Sequence, residues 1–288
     1  MKSEYLLPQD DGLSTREFNK WTAEKVDYLR RYIYMFGVSM KNMKLRRRSF
    51  IDLFCGTGKF KIEGSSNYYL GSSLIALTAE VPFTHYYFSD SNAENVEILQ
   101  KRSASLDFQK KFMVGDSNKL VRDIVDELLT VDKKYIPGVW PSLNLAFLDP
   151  DGLELEWQTV ATLASVNRMD LIIHYSQGGL TRNLSKFFAA EGETLIDRFF
   201  GDTEWREIYA HHRDKPEGVH RYLIDHYKEK LQSLGYKEIK EEGWTEPLLR
   251  NRRRVPLYRL LFASKHELGN EFWKTVTERD MYGQKPLL

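Results

Sequence analysis

Residues Ser49–Lys59 read SFIDLFCGTGK, and this stretch decides the predicted fold. An apolar run ends at Asp52, and a turn that contains two glycines, Cys55-Gly-Thr-Gly58, follows at once. Glycines let the backbone N–H groups of a turn come close to a ligand, and a buried parallel strand often leads into such a turn. A single pair of glycines is weak evidence, because an ordinary tight turn has the same composition.

Three later apolar segments end in the same way, so that four successive predicted strands each terminate in an aspartate. The later segments are Tyr86–Asp90, Phe112–Asp116 and Leu145–Asp149. Helical patterns alternate with them, which predicts an α/β fold with a Rossmann-like, mostly parallel sheet and helices on both faces. Ligands bind at the carboxyl ends of the strands in such sheets, where we expect all four aspartates to lie.

The remaining sequence predicts additions before and after this core. The predicted segments are an N-terminal arm and covering helix (1–48), the cofactor-binding core (49–177), a helical insertion or cap (178–235), and strands with a helix that complete the core (236–288).

Finer expectations concern the segments next to the core. The first 17 residues are polar and predict a loosely attached arm ahead of the covering helix. Residues 59–70 predict a polar loop, suited to a lid or a substrate contact, with Ser72 or Ser73 as the N-cap of the next helix. Residues 236–242 and 257–264 predict an antiparallel pair of strands that completes the sheet edge.

Composition excludes several classes of protein. The net charge of the 288 residues is +1, so no whole-molecule basic field indicates a nucleic-acid partner. Cys55 is the single cysteine, which excludes an intramolecular disulfide and a cysteine zinc cluster within the chain. No apolar run has the length of a membrane span and the first residues are polar, so we expect a soluble cytoplasmic protein without a membrane partner.

Two basic runs interrupt the balanced charge. Their candidate phosphate-binding residues are Lys44, Arg46, Arg47 and Arg48 before the first strand, and Arg252, Arg253 and Arg254 in a later connection. A solvated loop explains either run alone. Two runs on loops near one sheet raise the hypothesis that they contact the phosphates of a nucleic acid.

A nucleoside cofactor suits the aspartate-ended strands. The turn with Phe54, Gly56 and Gly58 would admit a carboxylate or phosphate end of the cofactor to the backbone. Asp90 would accept hydrogen bonds from ribose hydroxyls, and Asp116 with Ser117 would bind an adenine amine. Taken singly, each aspartate could instead be a helix N-cap.

These motifs resemble those of the S-adenosylmethionine-dependent methyltransferases with a Rossmann-like sheet. The resemblance rests on Asp52–Gly58, Asp90, Gly115-Asp116 and Asp149-Pro150, and it implies S-adenosylmethionine as the cofactor. It places Asp52 with the cofactor-binding residues and Asp149, Pro150 and Asp151 at the reacting centre.

More narrowly, the chain resembles the three-Cys-motif partner family, which implies a protein partner that carries the cysteine motif and resembles radical-S-adenosylmethionine enzymes. Further matching features are Lys20-Trp21 with Lys25 and Tyr32, Gly71-Ser72, Leu148–Gly152, Phe200-Gly201 with Trp205, Leu260–Lys265, and Phe272-Trp273. The chain departs from the family at Cys55-Gly-Thr-Gly58, where Ala-Gly-Pro-Gly is more frequent, and at Asp151, where Phe is more frequent.

The leading hypothesis is a methyltransferase that acts on a nucleic acid, with RNA favoured over DNA. Asp149 would accept a hydrogen bond from the target amine, and Asp151 would assist. Gly152 stands where amino-methyltransferases usually carry an aromatic residue that stacks on the target base. Cys55 is interpreted as a packing residue and not as a nucleophile, and His174 is the histidine closest to the proposed site.

Two alternatives stay open. The fold could serve as a catalytically silent platform that binds another enzyme, which the missing aromatic residue and the insertion after Gly58 favour. Less well supported is metal-dependent phosphoester hydrolysis with Asp149 and Asp151 sharing a magnesium ion. The sequence indicates no other metal site.

Overall fold

The computed structural model describes residues 4–134, 136–215, 218–237, 246–251, 253–280 and 283. Its strands are β1 Arg16–Phe18, β2 Leu45–Asp52, β3 Lys59–Ile62, β4 Tyr68–Leu70, β5 His85–Asp90, β6 Gln109–Val114, β7 Trp140–Leu148, β8 Met169–Tyr175, β9 Leu248–Arg250 and β10 Pro256–Ala263. Its α-helices are α1 Lys20–Met40, α2 Ser72–Leu77, α3 Ala93–Ser103, α4 Ser117–Lys133, α5 Trp157–Ala164, α6 Gln177–Phe188, α7 Leu195–Phe200, α8 Glu204–His212, α9 Val219–Ser233 and α10 Glu267–Thr277.

Seven of the described strands form one sheet in the order β6-β5-β2-β7-β8-β10-β9. All neighbours up to β8 run parallel, whereas β10 is antiparallel to both β8 and β9. The predicted Rossmann-like α/β sheet with antiparallel strands at its edge is therefore confirmed.

The described partner of the last strand at the sheet edge is β9, residues 248–250, which pairs antiparallel with β10. Tyr236 and Lys237 lie outside any strand, and residues 238–242 lie outside the described part of the chain.

The two faces of the sheet bury separate apolar clusters, because successive side chains of a strand point to opposite faces. Phe50 belongs to the cluster beneath α1, α2 and α10, whereas Ile51 belongs to the cluster beneath α4, α5 and the helices of segment 178–235. The predicted helical character of that segment is confirmed over its described residues. Tyr175 of β8 contacts Phe199 of α7 and Tyr227 of α9, with ring centroids 5.6 and 5.9 Å apart. Across the described helices, none is long and apolar enough to cross a membrane.

A second, three-stranded sheet forms where loops were predicted. β1 runs parallel to β3, and β3 pairs antiparallel with β4. The expectation of a polar loop over residues 59–70 is therefore wrong, because apolar side chains in this stretch find partners in β1. Phe60 packs edge-to-face against Phe18, with ring centroids 6.0 Å apart.

The N-terminal segment is held by buried charges, so the expectation of a loose arm is also wrong. The carboxylate of Asp11 accepts two hydrogen bonds from Arg102 at 2.9 Å and one from Lys59 at 2.7 Å. All three side chains are almost completely buried. Arg102 also donates to the carbonyl of Thr57 and the hydroxyl of Thr15, so one guanidinium ties the N-terminal segment to the glycine turn.

The first basic run lies at the amino end of β2 and not on a loop beside the aspartates. Arg46 donates to the carbonyl of Lys134 at 2.8 Å, and Arg47 pairs with Glu127 at 2.8 Å. Six residues of strand separate Arg46 from Asp52, which is about 20 Å. The expectation of a loop is therefore wrong for Arg46, Arg47 and Arg48, because they belong to β2 and lie toward its amino end, away from the strand ends that carry the aspartates.

The second basic run is closer to the predicted site. β10 begins at the edge where β8 ends, since Arg259 is paired with Tyr175. Arg253 and Arg254 lie in the turn before β10 and are exposed at this same edge, whereas Arg252 lies outside the described residues. Nucleic-acid binding by either run, including the exposed Lys44, stays a prediction.

We expect Arg102→Met to lower the free energy of unfolding by about 3–5 kcal/mol, because Asp11 would lose two of its hydrogen bonds in a buried position. Denaturation in urea measures this change. Lys101→Met is the matched control, since Lys101 is the exposed neighbour and its pair with Glu97 lies on the surface, where ion pairs contribute little to stability. Equal stabilities of the two variants would contradict the role given to Arg102.

Candidate active site

The carboxyl ends of the parallel strands open into a cleft of about 800 Å³. This volume lies within the range of about 300–1,000 Å³ that is usual for small-molecule sites. The predicted residues that line the cleft are Phe54, Gly56, Gly58, Asp90, Asp116, Ser117, Asp149 and Asp151. Asp52 and Pro150 do not line it, and segment 178–235 contributes none of its described lining residues.

Asp52 acts behind the cleft and not within it. Its side chain is fully buried and accepts hydrogen bonds from the hydroxyls of Ser72 at 2.6 Å and Ser73 at 2.9 Å. Neither serine caps α2, whose N-cap is Gly71, because both hydroxyls are directed to Asp52. Burial raises the pKa of Asp52 to about 7, although the two serines oppose the shift. Asp52 therefore fixes the start of α2 against the end of β2.

The glycine turn is open on the side of the cleft and tightly packed behind it. A Cβ atom at Gly56 would meet nothing within 4 Å, and its φ is +55°. A Cβ atom at Gly58 would lie 2.7 Å from Leu99 and 3.0 Å from Leu74. The turn thus offers bare backbone to a ligand at Gly56, whereas Gly58 lets the turn pack against two helices.

Asp90 holds this turn by a direct hydrogen bond. One of its carboxylate oxygens accepts from the N–H of Gly56 at 2.9 Å, and the other accepts from the N–H of Asn92 at 2.9 Å. Asn92, and not Asp90, is the N-cap of α3. Each carboxylate oxygen keeps a lone pair for a second donor, so Asp90 can still accept hydrogen bonds from two neighbouring hydroxyls.

Of the two residues expected to bind an adenine amine, only one has a side-chain oxygen available to a ligand. Asp116 is the N-cap of α4, with 47% of its side chain exposed, and its outer oxygen lies 3.9 Å from Lys119. The hydroxyl of Ser117 is buried and donates to the carbonyl of Leu53. The Asp116 carboxylate is therefore the available acceptor, and the side chain of Ser117 belongs to the support of the turn.

Asp149 carries a charge that two other elements stabilise. Lys25 of α1 lies 2.5 Å from one oxygen, and Nδ1 of His174 lies 2.7 Å from the other. Burial alone would raise the pKa of Asp149, but Lys25 and His174 lower it to about 2. Burial also lowers the pKa of His174, so we assign a neutral ring that donates from Nδ1. Asp149 is thus an anion at neutral pH.

Asp151 is engaged at the mouth of the cleft. It accepts a hydrogen bond of 3.0 Å from Arg16, and 53% of the Arg16 side chain and 65% of the Asp151 side chain are exposed. The opposite side of the mouth therefore comes from β1, a strand that the sequence did not predict.

The structure adds cleft residues that the sequence did not indicate. Those from the N-terminal segment and α1 include Ser14, Arg16, Phe18, Thr22 and Lys25, and Lys59 of β3 lies beside them. Lys25 was visible as a charged residue on the otherwise apolar stripe of the predicted helix. A buried lysine needs an anion, and that signal points to a carboxylate at the sheet edge.

Cys55 packs in the turn with 4% of its surface exposed, and burial raises the pKa of its thiol. The thiol is therefore protonated at neutral pH and is a poor nucleophile. The described residues contain no group of three or more His, Cys, Asp and Glu side chains that could hold a metal ion.

No protein-family model matches the chain, and no curated protein sequence is significantly similar to it. Solved structures resemble its fold. The CurJ carbon methyltransferase is 13% identical with a TM-score of 0.39, and the match covers 82% of this chain and 54% of CurJ. A protein from Listeria monocytogenes, provisionally assigned as an S-adenosylmethionine-dependent methyltransferase, is 12% identical with a TM-score of 0.38, and the match covers 83% of this chain and 99% of that protein.

A third structure is PH1948 from Pyrococcus horikoshii, provisionally assigned as an RNA methyltransferase. It is 13% identical with a TM-score of 0.29, and the match covers 61% of this chain and 76% of PH1948. Similarities this remote concern the fold and carry no information about the activity or substrate of this chain.

We expect the contribution of Asp52 to stability to fall as the pH rises. Its pKa is raised in the folded protein, so the folded state binds the proton more tightly than the unfolded state between about pH 4 and about pH 7. The contribution is complete below this window and is lost as the pH passes through it. Replacing Asp52 by Asn removes the titration.

Urea denaturation at about pH 4 and about pH 8 measures this effect. The wild type should lose stability relative to Asp52→Asn by an amount on the order of a few kcal/mol between these conditions. Asp107→Asn, at an exposed position, should follow the wild type. A stability difference between wild type and Asp52→Asn that does not change with pH would show that Asp52 does not titrate in this window.

Proposed function

We propose that this chain is an S-adenosylmethionine-dependent methyltransferase that acts on a nucleic acid, with RNA favoured over DNA. The observation that carries the proposal is that three groups suited to this chemistry line the same cleft. These are the open backbone at Gly56, the carboxylate of Asp90 that accepts a hydrogen bond from it, and the carboxylate of Asp149, which is charged at neutral pH.

The residues present fit the cofactor. The space above Gly56 suits the carboxylate end of a nucleoside cofactor, which a side chain at this position would exclude. The free lone pairs of Asp90 suit two ribose hydroxyls, and the exposed oxygen of Asp116 suits an adenine amine. When bound, S-adenosylmethionine would supply an activated methyl group.

The chain itself would position the methyl acceptor, in the part of the cleft that contains Asp149 and Asp151. This part is called the acceptor side. Asp149 can accept a hydrogen bond from an amine of the acceptor and orient it in the cleft. With a pKa of about 2 it is a hydrogen-bond acceptor and a poor general base. Lys25 and His174 fix the direction of the carboxylate, so a small displacement of α1 or β8 would disturb the acceptor.

The resemblance to the three-Cys-motif partner family adds a protein partner to the proposal. That partner would carry the cysteine motif, and this chain would act beside it. The exposed Arg253 and Arg254 lie at the same edge of the sheet as the cleft and are the residues best placed to contact the phosphates of a nucleic-acid substrate.

A second candidate function is a catalytically silent platform. Both oxygens of Asp149 already have partners, Arg16 is joined to Asp151, and Gly152 brings no aromatic side chain to the site. A protein that only presents this surface to another enzyme would have no need of an open acceptor side.

We expect S-adenosylhomocysteine to bind the purified protein with micromolar affinity in a calorimetric titration. Asp90→Ala should weaken this binding at least about tenfold, because it removes charge-assisted hydrogen bonds to the ligand and to Gly56. Asp123→Ala, on the exposed face of α4, is the matched control and should bind like the wild type. Absence of binding by folded wild-type protein would reject the methyltransferase proposal for the isolated chain and leave the platform.

We further expect Asp149→Asn to reduce methyl transfer about 100-fold or more while the affinity for S-adenosylhomocysteine changes little. The side chain keeps its shape but loses the charge that aligns the acceptor. Asparagine is preferred to alanine because its side-chain carbonyl oxygen can still accept a hydrogen bond from the buried Lys25, which alanine cannot do. Transfer of a radioactive methyl group into total cellular RNA, and separately into DNA, measures the effect. Turnover equal to that of Asp107→Asn would contradict this role.

A further inference from the structure

The N-terminal strand places an aromatic ring on the acceptor side of the cleft. Phe18 of β1 and Phe60 of β3 both line the cleft, and Phe18 is only partly buried. Tyr69 stacks on Phe60 with an angle of 11° between the rings, so the support behind Phe18 is itself aromatic. The position of Phe18 is therefore defined by packing.

The ring of Phe18 is connected to the Asp149–Gly152 loop through the side chain of Arg16. The guanidinium of Arg16 lies 5.0 Å from the centre of the Phe18 ring and donates to Asp151 at 3.0 Å. Asp151 follows Asp149 by two residues. Phe18 and the proposed acceptor-binding carboxylates thus face the same part of the cleft.

The contact of Arg16 is one that an entering ligand can replace. Both members of the ion pair with Asp151 are more than half exposed, and such pairs contribute little to stability. Strand β1, which carries Arg16, is fixed, since Asp11 anchors the N-terminal segment to Arg102 and Lys59 in the interior. Displacement of the exposed Arg16 side chain would therefore uncover the face of the Phe18 ring while β1 keeps its position.

Base-modifying enzymes that work on an extruded or single-stranded base need a flat surface against which the base stacks. Gly152 cannot provide it from the loop after β7. We propose that Phe18 is the stacking surface for the acceptor base and so supplies, from the N-terminal strand, the aromatic group that the Asp149–Gly152 loop lacks. This inference rests on the proposed function and identifies the acceptor as a planar nucleobase.

The test compares Phe18→Leu with Phe18→Tyr. Leucine keeps most of the apolar volume but removes the flat ring, whereas tyrosine keeps the ring. The probe is a fluorescein-labelled single-stranded RNA of mixed sequence and about 15 nucleotides, titrated by anisotropy with saturating S-adenosylhomocysteine. Phe108→Leu is the matched control, because Phe108 packs on Tyr86 and does not line the cleft.

We expect Phe18→Leu to weaken RNA binding about 5- to 100-fold, the usual contribution of one stacked base. Phe18→Tyr and Phe108→Leu should bind within about twofold of the wild type, and the calorimetric affinity for S-adenosylhomocysteine should stay unchanged in all of them. Three results would overturn the inference: equal RNA binding by Phe18→Leu, a parallel loss of RNA and S-adenosylhomocysteine binding, or no RNA binding by the wild type. Wild-type protein that binds RNA but not S-adenosylhomocysteine would instead defeat the methyltransferase proposal.

Discussion

The guanidinium of Arg102 is the interaction on which the architecture of the cleft depends. It is completely buried, and its hydrogen bonds join Asp11 and Thr15 of the N-terminal segment to Thr57 of the glycine turn. A buried charge without such partners would be strongly unfavourable, so the segment and the turn stabilise the charge as much as the charge stabilises them. The two walls of the cleft are therefore one unit and not a core with a loose addition.

A second buried charge joins four elements of the fold at the proposed reacting centre. Asp149 follows β7, Lys25 comes from α1, and His174 comes from β8. The ring of Tyr258 in β10 lies beside the histidine ring, with centroids 4.2 Å apart and an angle of 55° between the rings. Lys25 and His174 keep the carboxylate charged in its buried position, because burial by itself would raise its pKa and favour the neutral form. The chemistry proposed for the cleft is thus a property of the assembled domain, and no single motif contains it.

The sequence predicted what is encoded locally. The alternation of strands and helices in the core was predicted, and the four aspartates lie at the carboxyl ends of the parallel strands because each follows an apolar strand. The small sheet was missed because β1 and β3 are short and become strands only by pairing with each other. Arg46 was misplaced for a related reason. Its basic neighbours suggested a loop. In the structure Arg46 belongs to a strand, and its guanidinium donates to the carbonyl of Lys134, a residue distant in sequence.

The position of β10 has a consequence for biosynthesis. This strand is the last of the sheet to be made, yet it lies between β8 and β9, with five residues paired to β8 from Arg259 to Ala263. While the chain is being made, the apolar edge of β8 stays open until these residues have left the ribosome. Exposed strand edges are sites of wrong pairing between chains. A chain truncated before this point would therefore contain most of the cleft residues but leave the edge of β8 unpaired. Such a chain is the kind of substrate that chaperones bind.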